Sequence, residues 1–253
     1  MFKGLNFSID KMVGANFGLV IGEFGGGGQK TLPSAKINTV FIEMFRRDEP
    51  YFMGATMGDE TQELPITFVS LNGEIDRQKF STIKKALFSS LEPVDFKVLQ
   101  NDLSNITFRG VFTQSNPVTL GNGLYGIETS FKMVKNFGLE SQKTKPLTNV
   151  FLNTSDSPNG LKPIIEFTMS PSGGNYTITN TTNGISMQFK NLAGGETITL
   201  DCDRQIITSS LGFRRLSNFN KQWMRFEKGR NTLEFSGTVA NVKVTYQNKK
   251  YVG

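Results

Sequence analysis

Only one stretch of this chain keeps a sustained helical period: residues 72–91, NGEIDRQKFSTIKKALFSSL, set among segments that read as strand or turn. Phe80, Ile83, Leu87 and Leu91 recur at three- and four-residue steps, which stacks them on one side of a helix. Arg77, Lys79, Lys84 and Lys85 fall largely elsewhere. One apolar stripe gives one face to bury, and the surroundings offer sheets to bury it on. Asn72 or Gly73 is the predicted cap, Glu74 and Asp76 put negative charge near the first-turn amides, and Pro93 bars continuation. Strand-like LPITFVSL (64–71) leads in and VDFKVL (94–99) leads out, which predicts strand, helix, strand within a β-rich domain.

The remainder follows the β pattern. Residues 1–24 carry short apolar stretches punctuated by glycines, as in a pair of strands with tight turns. The tract at Gly25–Gly28 reads as a loop between strands. It is no phosphate loop, because Gln29 separates Gly28 from Lys30 and Pro33 follows where a helix is needed. INTVFIEMF (37–45) is a long strand, and RRDEP after it is an exposed turn, so a hairpin is expected. Pro65, lacking a ladder donor, places its strand at an edge or at a strand start. ITFRGVF (106–112) and GLYGIETSFKMVKNF (123–137) are two further strands. Between Asn136 and Pro163 the chain turns polar and Ser/Thr/Asn/Pro-rich, which marks a boundary between domains at 1–140 and 141–253. Beyond it, PIIEFTM, NYTITN, GISMQF, ETITLDC, RQIIT, NTLEF and VKVTY recur about 8 to 12 residues apart, the spacing of a sandwich or jelly roll.

Composition removes most chemistry. There is no histidine, so Ser-His-Asp and Cys-His catalysis and every histidine metal site are excluded. The lone Cys202 allows neither an internal disulfide nor a multi-cysteine zinc site, and it fits synthesis in a cytoplasm. No run approaches the roughly 18 apolar residues of a membrane helix, and Met1 to Ile9 shows no export signal. The net charge of +6 would suit nucleic acid, acidic proteins or an anionic cell surface, but a modest positive charge more often serves solubility. The N-x-S/T triplets at Asn6, Asn105, Asn153 and Asn175 carry no weight without secretion.

Two constellations remain. Glu196, Asp201 and Asp203 have the residue type of a glycosidase pair or a calcium site, but without a DxDxDG pattern they read as acids flanking a turn, and neither role is assigned. Phe213, Phe219, Trp223 and Phe226 alternate with Arg214, Arg215, Lys221, Arg225, Lys228 and Arg230. The leading expectation is that these aromatics fill the core while the charges face water. A protein-docking rim around Arg214, Arg215 and Trp223 is the second, and stacking on sugar or nucleic acid the third.

In this order the segments resemble the distal tail protein (Dit) family of siphophages, the phages with long non-contractile tails, of the lactococcal baseplate-hub type. The resemblance rests on FKGLNF, LPITFVSLNGEIDRQKFSTIKKALF, PVDFKVL, ITFRGVF and LYGIETSFKM, then on NTSDSPNGLKPIIEFT, YTITNTTNGISMQFKNLAGGETITLDCDRQIIT and FEKGRNTLEF. The family helix often carries a tryptophan where this chain has Ala86, Leu87 and Phe88, and there is no room for the long arm that some members insert in the second domain. The resemblance implies a mainly β fold: an N-terminal β-sandwich with one packed helix, related to tail-tube folds, and a C-terminal galectin-like or carbohydrate-module-like sandwich. It implies no enzyme and no cofactor. It implies a homo-hexameric ring in the virion that joins the tail-tube protein to the tail-associated hub protein and holds baseplate or receptor-binding proteins. DNA would pass through without specific binding, and no membrane is involved. A ring needs a heterologous contact, which is expected near Phe45, Arg46, Arg47 and Tyr51. The alternative is a carbohydrate-binding module for host cell-wall glycan, with Trp223 as its stacking platform.

Overall fold

The computed structural model describes residues 6–10, 12–22, 37–43, 49–57, 63–101 and 103–251; the glycine tract at 25–28 lies outside them. The chain divides into two compact units, Met1–Leu139 with Tyr251–Gly253, and Glu140–Lys250. Both are built of strands, and the one α-helix among the described residues lies in the first. No helix there is long and apolar enough to cross a membrane.

The first unit contains β1 (Phe7–Ile9), β2 (Met12–Val13), β3 (Leu19–Ile21), β4 (Ile37–Ile42), β5 (Tyr51–Met57) and β6 (Glu63–Ser70). Helix α1 (Arg77–Phe88) follows, then β7 (Val94–Val98), β8 (Ile106–Phe112), β9 (Asn116–Leu120), β10 (Gly123–Met133) and β11 (Gly138–Glu140). The main sheet runs β2-β1-β7-β8-β10-β6-β3, and β9 also pairs with β10. Strict alternation sets its faces: Ile106, Phe108 and Phe112 of β8 are buried while Arg109 is exposed. Phe7 of β1 stacks on Phe68 of β6, ring centroids 4.3 Å apart. Strands four places apart in a flat sheet stand roughly 19 Å apart, so this sheet curls until its inner faces meet, giving the expected sandwich-like core from one continuous sheet. Gly110 marks how tight the curl is, since a Cβ there would run into the Lys132 carbonyl and the Phe131 ring.

Helix α1 closes this core with Ile83 and Leu87, both buried, and with Phe88, whose ring meets Phe112 edge-on at 6.5 Å. Its start differs from the expected Asn72 or Gly73. Asp76 is the cap, its Oδ1 accepting the Lys79 amide at 2.7 Å. Gly73, at φ +85°, belongs to the preceding turn, and buried Ile75 is tied to the start of β10 by its amide donating to the Leu124 carbonyl. The helix stops at Ser89, so Leu91, assigned to the apolar stripe by spacing, is 96% exposed. Pro65 also differs from a plain edge position. Strand β6 is flanked by β10 and β3, but β3 pairs only with Phe68, Val69 and Ser70, and among the described residues Pro65 has only Ser130 opposite it.

The second unit contains β12 (Lys143–Pro146), β13 (Val150–Asn153), β14 (Ile164–Met169), β15 (Gly174–Asn180) and β16 (Ile185–Leu192). They are followed by β17 (Thr197–Asp201), β18 (Ile206–Ser209), β19 (Gly229–Ser236) and β20 (Val239–Tyr246). Two antiparallel sheets, β12-β20-β14-β17-β18 and β13-β19-β15-β16, form the sandwich that the regular spacing predicts. Phe167 of one sheet packs on Tyr176 and Phe189 of the other, at 4.6 and 5.5 Å. The segment read as a polar boundary holds two of these strands, β12 and β13. KTKP, with two lysines and a proline, has the composition of a protected edge, which sequence alone cannot tell from a linker.

Replacing Leu87 by alanine is expected to lower unfolding stability by about 2–5 kcal/mol in urea titration, whereas Leu91→Ala, at a site the spacing treats as equivalent, changes it by less than about 0.5 kcal/mol. Equal effects at both sites would contradict the observed helix end.

Candidate interaction surfaces

Among the described residues, strands β4 and β5 pair only with each other, from Ile37 opposite Met57 to Ile42 opposite Tyr51, with an irregularity at Val40 and Phe41. The hairpin expectation holds, and the strand described ends at Ile42 rather than Phe45. Val40, Phe41, Ile42, Tyr51, Phe52 and Met53 are each about half exposed, Tyr51 at 55%. Successive strand residues point to opposite faces, so among the described residues nothing covers either face of this ribbon. Phe41 and Phe52 meet across the ribbon, 5.4 Å between ring centroids. An isolated two-stranded ribbon is marginal in water, and exposed apolar clusters of this kind mark contact sites. Of the four residues expected at a ring contact, Tyr51 lies on this ribbon, while Phe45, Arg46 and Arg47 fall outside the described residues.

In the second unit the acids do not converge. Glu196 is fully buried and its carboxylate is saturated. Oε1 accepts Arg215 Nε at 2.8 Å and Ser209 Oγ at 2.6 Å, and Oε2 accepts Arg215 Nη2 at 2.6 Å and the Ala193 amide at 2.9 Å. Asp201 instead caps the turn after β17 by accepting the Asp203 and Arg204 amides, and Asp203 reaches Lys162 at 3.6 Å on the surface. Among the described residues no group of three or more potential ligands is placed to hold a metal. Burial pushes the Cys202 thiol up to about 12, so it is neither a nucleophile nor a thiolate ligand at neutral pH.

The docking trio read from sequence separates. Arg214 is exposed. Arg215 points inward, its side chain only 12% exposed, and is occupied by Glu196. Trp223 is half-buried with its ring edge-on to Phe219 at 4.9 Å. The expectation that the neighbouring aromatics fill the core holds for Phe219 and Phe226 and fails for Phe213, which is 53% exposed and lies 4.7 Å from the Arg215 guanidinium. Sequence proximity could not distinguish Arg214 from Arg215, because the deciding partner lies 19 positions away on another turn.

Amides that sequence reasoning passed over do structural work in this unit. Asn153, Asn180 and Asn231 are buried, and their side-chain amides donate to the carbonyls of residues 225–227 and 229, with Asn180 also donating to Asn231 Oδ1. Asn218, Asn220 and Gln222, spaced by two, satisfy backbone groups along the free edge of β16 at Lys190, Gln188 and Ser186. This side-chain ladder closes an edge that would otherwise accept another strand.

The comparisons with known proteins agree with this architecture. Residues 2–133 match the family described as phage tail protein N-terminal domain, and residues 130–246 match the phage tail C-terminal domain. The chain therefore belongs to this family of phage tail proteins and is a structural component of the virion tail. Its fold is that of a distal tail protein: the crystal structure of the Dit protein of phage SPP1, described there as a paradigm of the hub adsorption apparatus in phages infecting Gram-positive hosts, superposes with TM-score 0.72 at 11% identity, over 97% of this chain and 98% of that one. A chain of the phage P2 baseplate in its calcium-activated conformation gives TM-score 0.50 at 10% identity over 98% and 99%. No curated protein matches by sequence.

Burial raises the Glu196 carboxyl, but the hydrogen bonds from Arg215, Ser209 and the Ala193 amide, with the Arg215 charge, outweigh it and hold the group below its ordinary range. A depressed folded value means stability that is fully present above the ordinary 4.5 and lost as pH falls through the folded value. Glu196→Gln is expected to cost about 3–5 kcal/mol at pH 7 by leaving Arg215 unpaired. The gap from wild type should narrow on acidification below 4.5; a gap independent of pH would contradict the assignment.

Proposed function

We propose that this tail protein is the distal hub: copies close into a ring at the end of the tail tube, joined above to the tail-tube protein and below to the tail-associated hub protein, with baseplate or receptor-binding proteins held on the second unit. The copy number of six comes with the family resemblance, as does the passage of DNA without specific binding. The observation that carries the reading is the β4–β5 ribbon, whose apolar side chains are left uncovered by the chain's own core. A heterologous contact that seats one copy's ribbon on its neighbour covers that surface in every copy at once, which a ring requires. Burying a large apolar side chain is worth about 1.5–3 kcal/mol, so six half-exposed ones supply a substantial driving force even after association costs. The contact includes Tyr51, with Phe45, Arg46 and Arg47 next to it in sequence. Trp223 packs on core Phe219 and is half-buried, the setting of a structural aromatic, which favours the hub over the carbohydrate module.

Size-exclusion chromatography with light scattering tests this on the purified protein, alone and with its tail partners. The wild type is expected to assemble, while Tyr51→Ser combined with Phe52→Ser stays monomeric with unchanged melting, because both side chains are exposed in the single chain. Arg46→Glu with Arg47→Glu is expected to weaken assembly as well. A wild type that stays monomeric at high concentration with all its partners present would overturn the ring, and assembly unaffected by the ribbon variants would overturn the placement of the contact.

A further inference from the structure

After β18 the chain makes an outward turn, residues 211–216, LGFRRL, that exposes Leu211, Phe213 and Leu216, each by half or more. Three large apolar side chains within six residues of surface loop is a high density for a monomeric surface. The turn is nonetheless firmly held. The Leu211 amide donates to Ser209 Oγ, Gly212 at φ +74° donates to the Ser209 carbonyl, and Arg215 is bound at two points to buried Glu196. On the far side Asn218 donates to the carbonyls of Arg215 and Lys190. A buried ion pair is expensive to desolvate, and here it fixes a loop whose tip is apolar, a preorganisation that lowers the entropy lost on binding.

The charge around the turn selects the partner. From Ile206 to Phe226 the sequence has four cations, Arg214, Arg215, Lys221 and Arg225, and no acid. Arg215 is neutralised by Glu196 and Arg225 is paired with Glu227, which leaves exposed Arg214 and Lys221 without an ion pair among the described residues. Two copies of this turn repel each other. A segment of another protein carrying apolar side chains flanked by Asp or Glu satisfies both the apolar tip and its cationic flank.

We propose that residues 211–216 are the docking site on the second unit for an acidic, apolar segment of another tail protein. This rests on the reading of the chain as a tail hub and adds where its peripheral partner is held. The probe is the assembled tail itself. A photo-crosslinking benzoylphenylalanine at position 213, introduced in phage and irradiated in purified tails, is expected to join this chain to a different tail protein through a peptide rich in Asp or Glu and apolar residues. The same group at the exposed Leu152 of the same unit is expected not to capture that protein. Tails carrying Phe213→Ser and Leu216→Ser should contain this chain at wild-type amount and lose the captured protein at least tenfold by quantitative mass spectrometry, with melting of the purified variant unchanged. Crosslinking to a second copy of this chain, no crosslink, unchanged tail composition, or loss of the normally melting variant from tails would each overturn the docking site while leaving the hub reading standing. Absence of the wild-type chain from tails would overturn the hub reading itself.

Discussion

Each large sheet in this protein has to hide one apolar face, and with a single α-helix among the described elements the chain must do so almost entirely with strands. The first unit solves this by curling one sheet until Phe7 reaches Phe68 and capping the remaining opening with Ile83, Leu87 and Phe88 of α1. The second solves it by facing two sheets across Phe167, Tyr176 and Phe189. What is left uncovered then acquires meaning where it clusters, as in the β4–β5 ribbon and the turn after β18.

Polar groups inside the second unit serve the same economy. The Glu196–Arg215 pair and the three buried asparagines fix irregular backbone that the ladders do not reach. The amides facing the β16 edge turn a site of strand addition into a closed rim, and the lysines and proline of β12 protect another edge. A protein that works by assembling with chosen neighbours gains from closing the contacts it must not make.

Much of the fold was legible because large apolar residues alternate cleanly, as in ITFRGVF, where Ile106, Phe108 and Phe112 all turn inward as the pattern requires. The helix was legible in its centre and misread at its ends, since Asn72, Gly73 and Asp76 are all acceptable cap residues and only the Lys79 amide decides among them. Strands β12 and β13 were invisible because an edge strand needs few buried residues, and β13 supplies Phe151 and Asn153 alone. The acidic candidates and the basic cluster were each legible as composition but not as pairing: that Glu196 binds Arg215 and leaves Arg214 exposed is a fact of tertiary register.

The central claim is that the uncovered ribbon is covered by a neighbouring copy. Hydrogen exchange on the backbone amides of Tyr51–Met57 measures this directly. In dilute, unassembled protein these amides should exchange far faster than those of the internal strand Val94–Val98, and on assembly they should become strongly protected while Val94–Val98 hardly changes. Rapid exchange at Tyr51–Met57 in the assembled particle, no slower than in the single chain, would contradict the account.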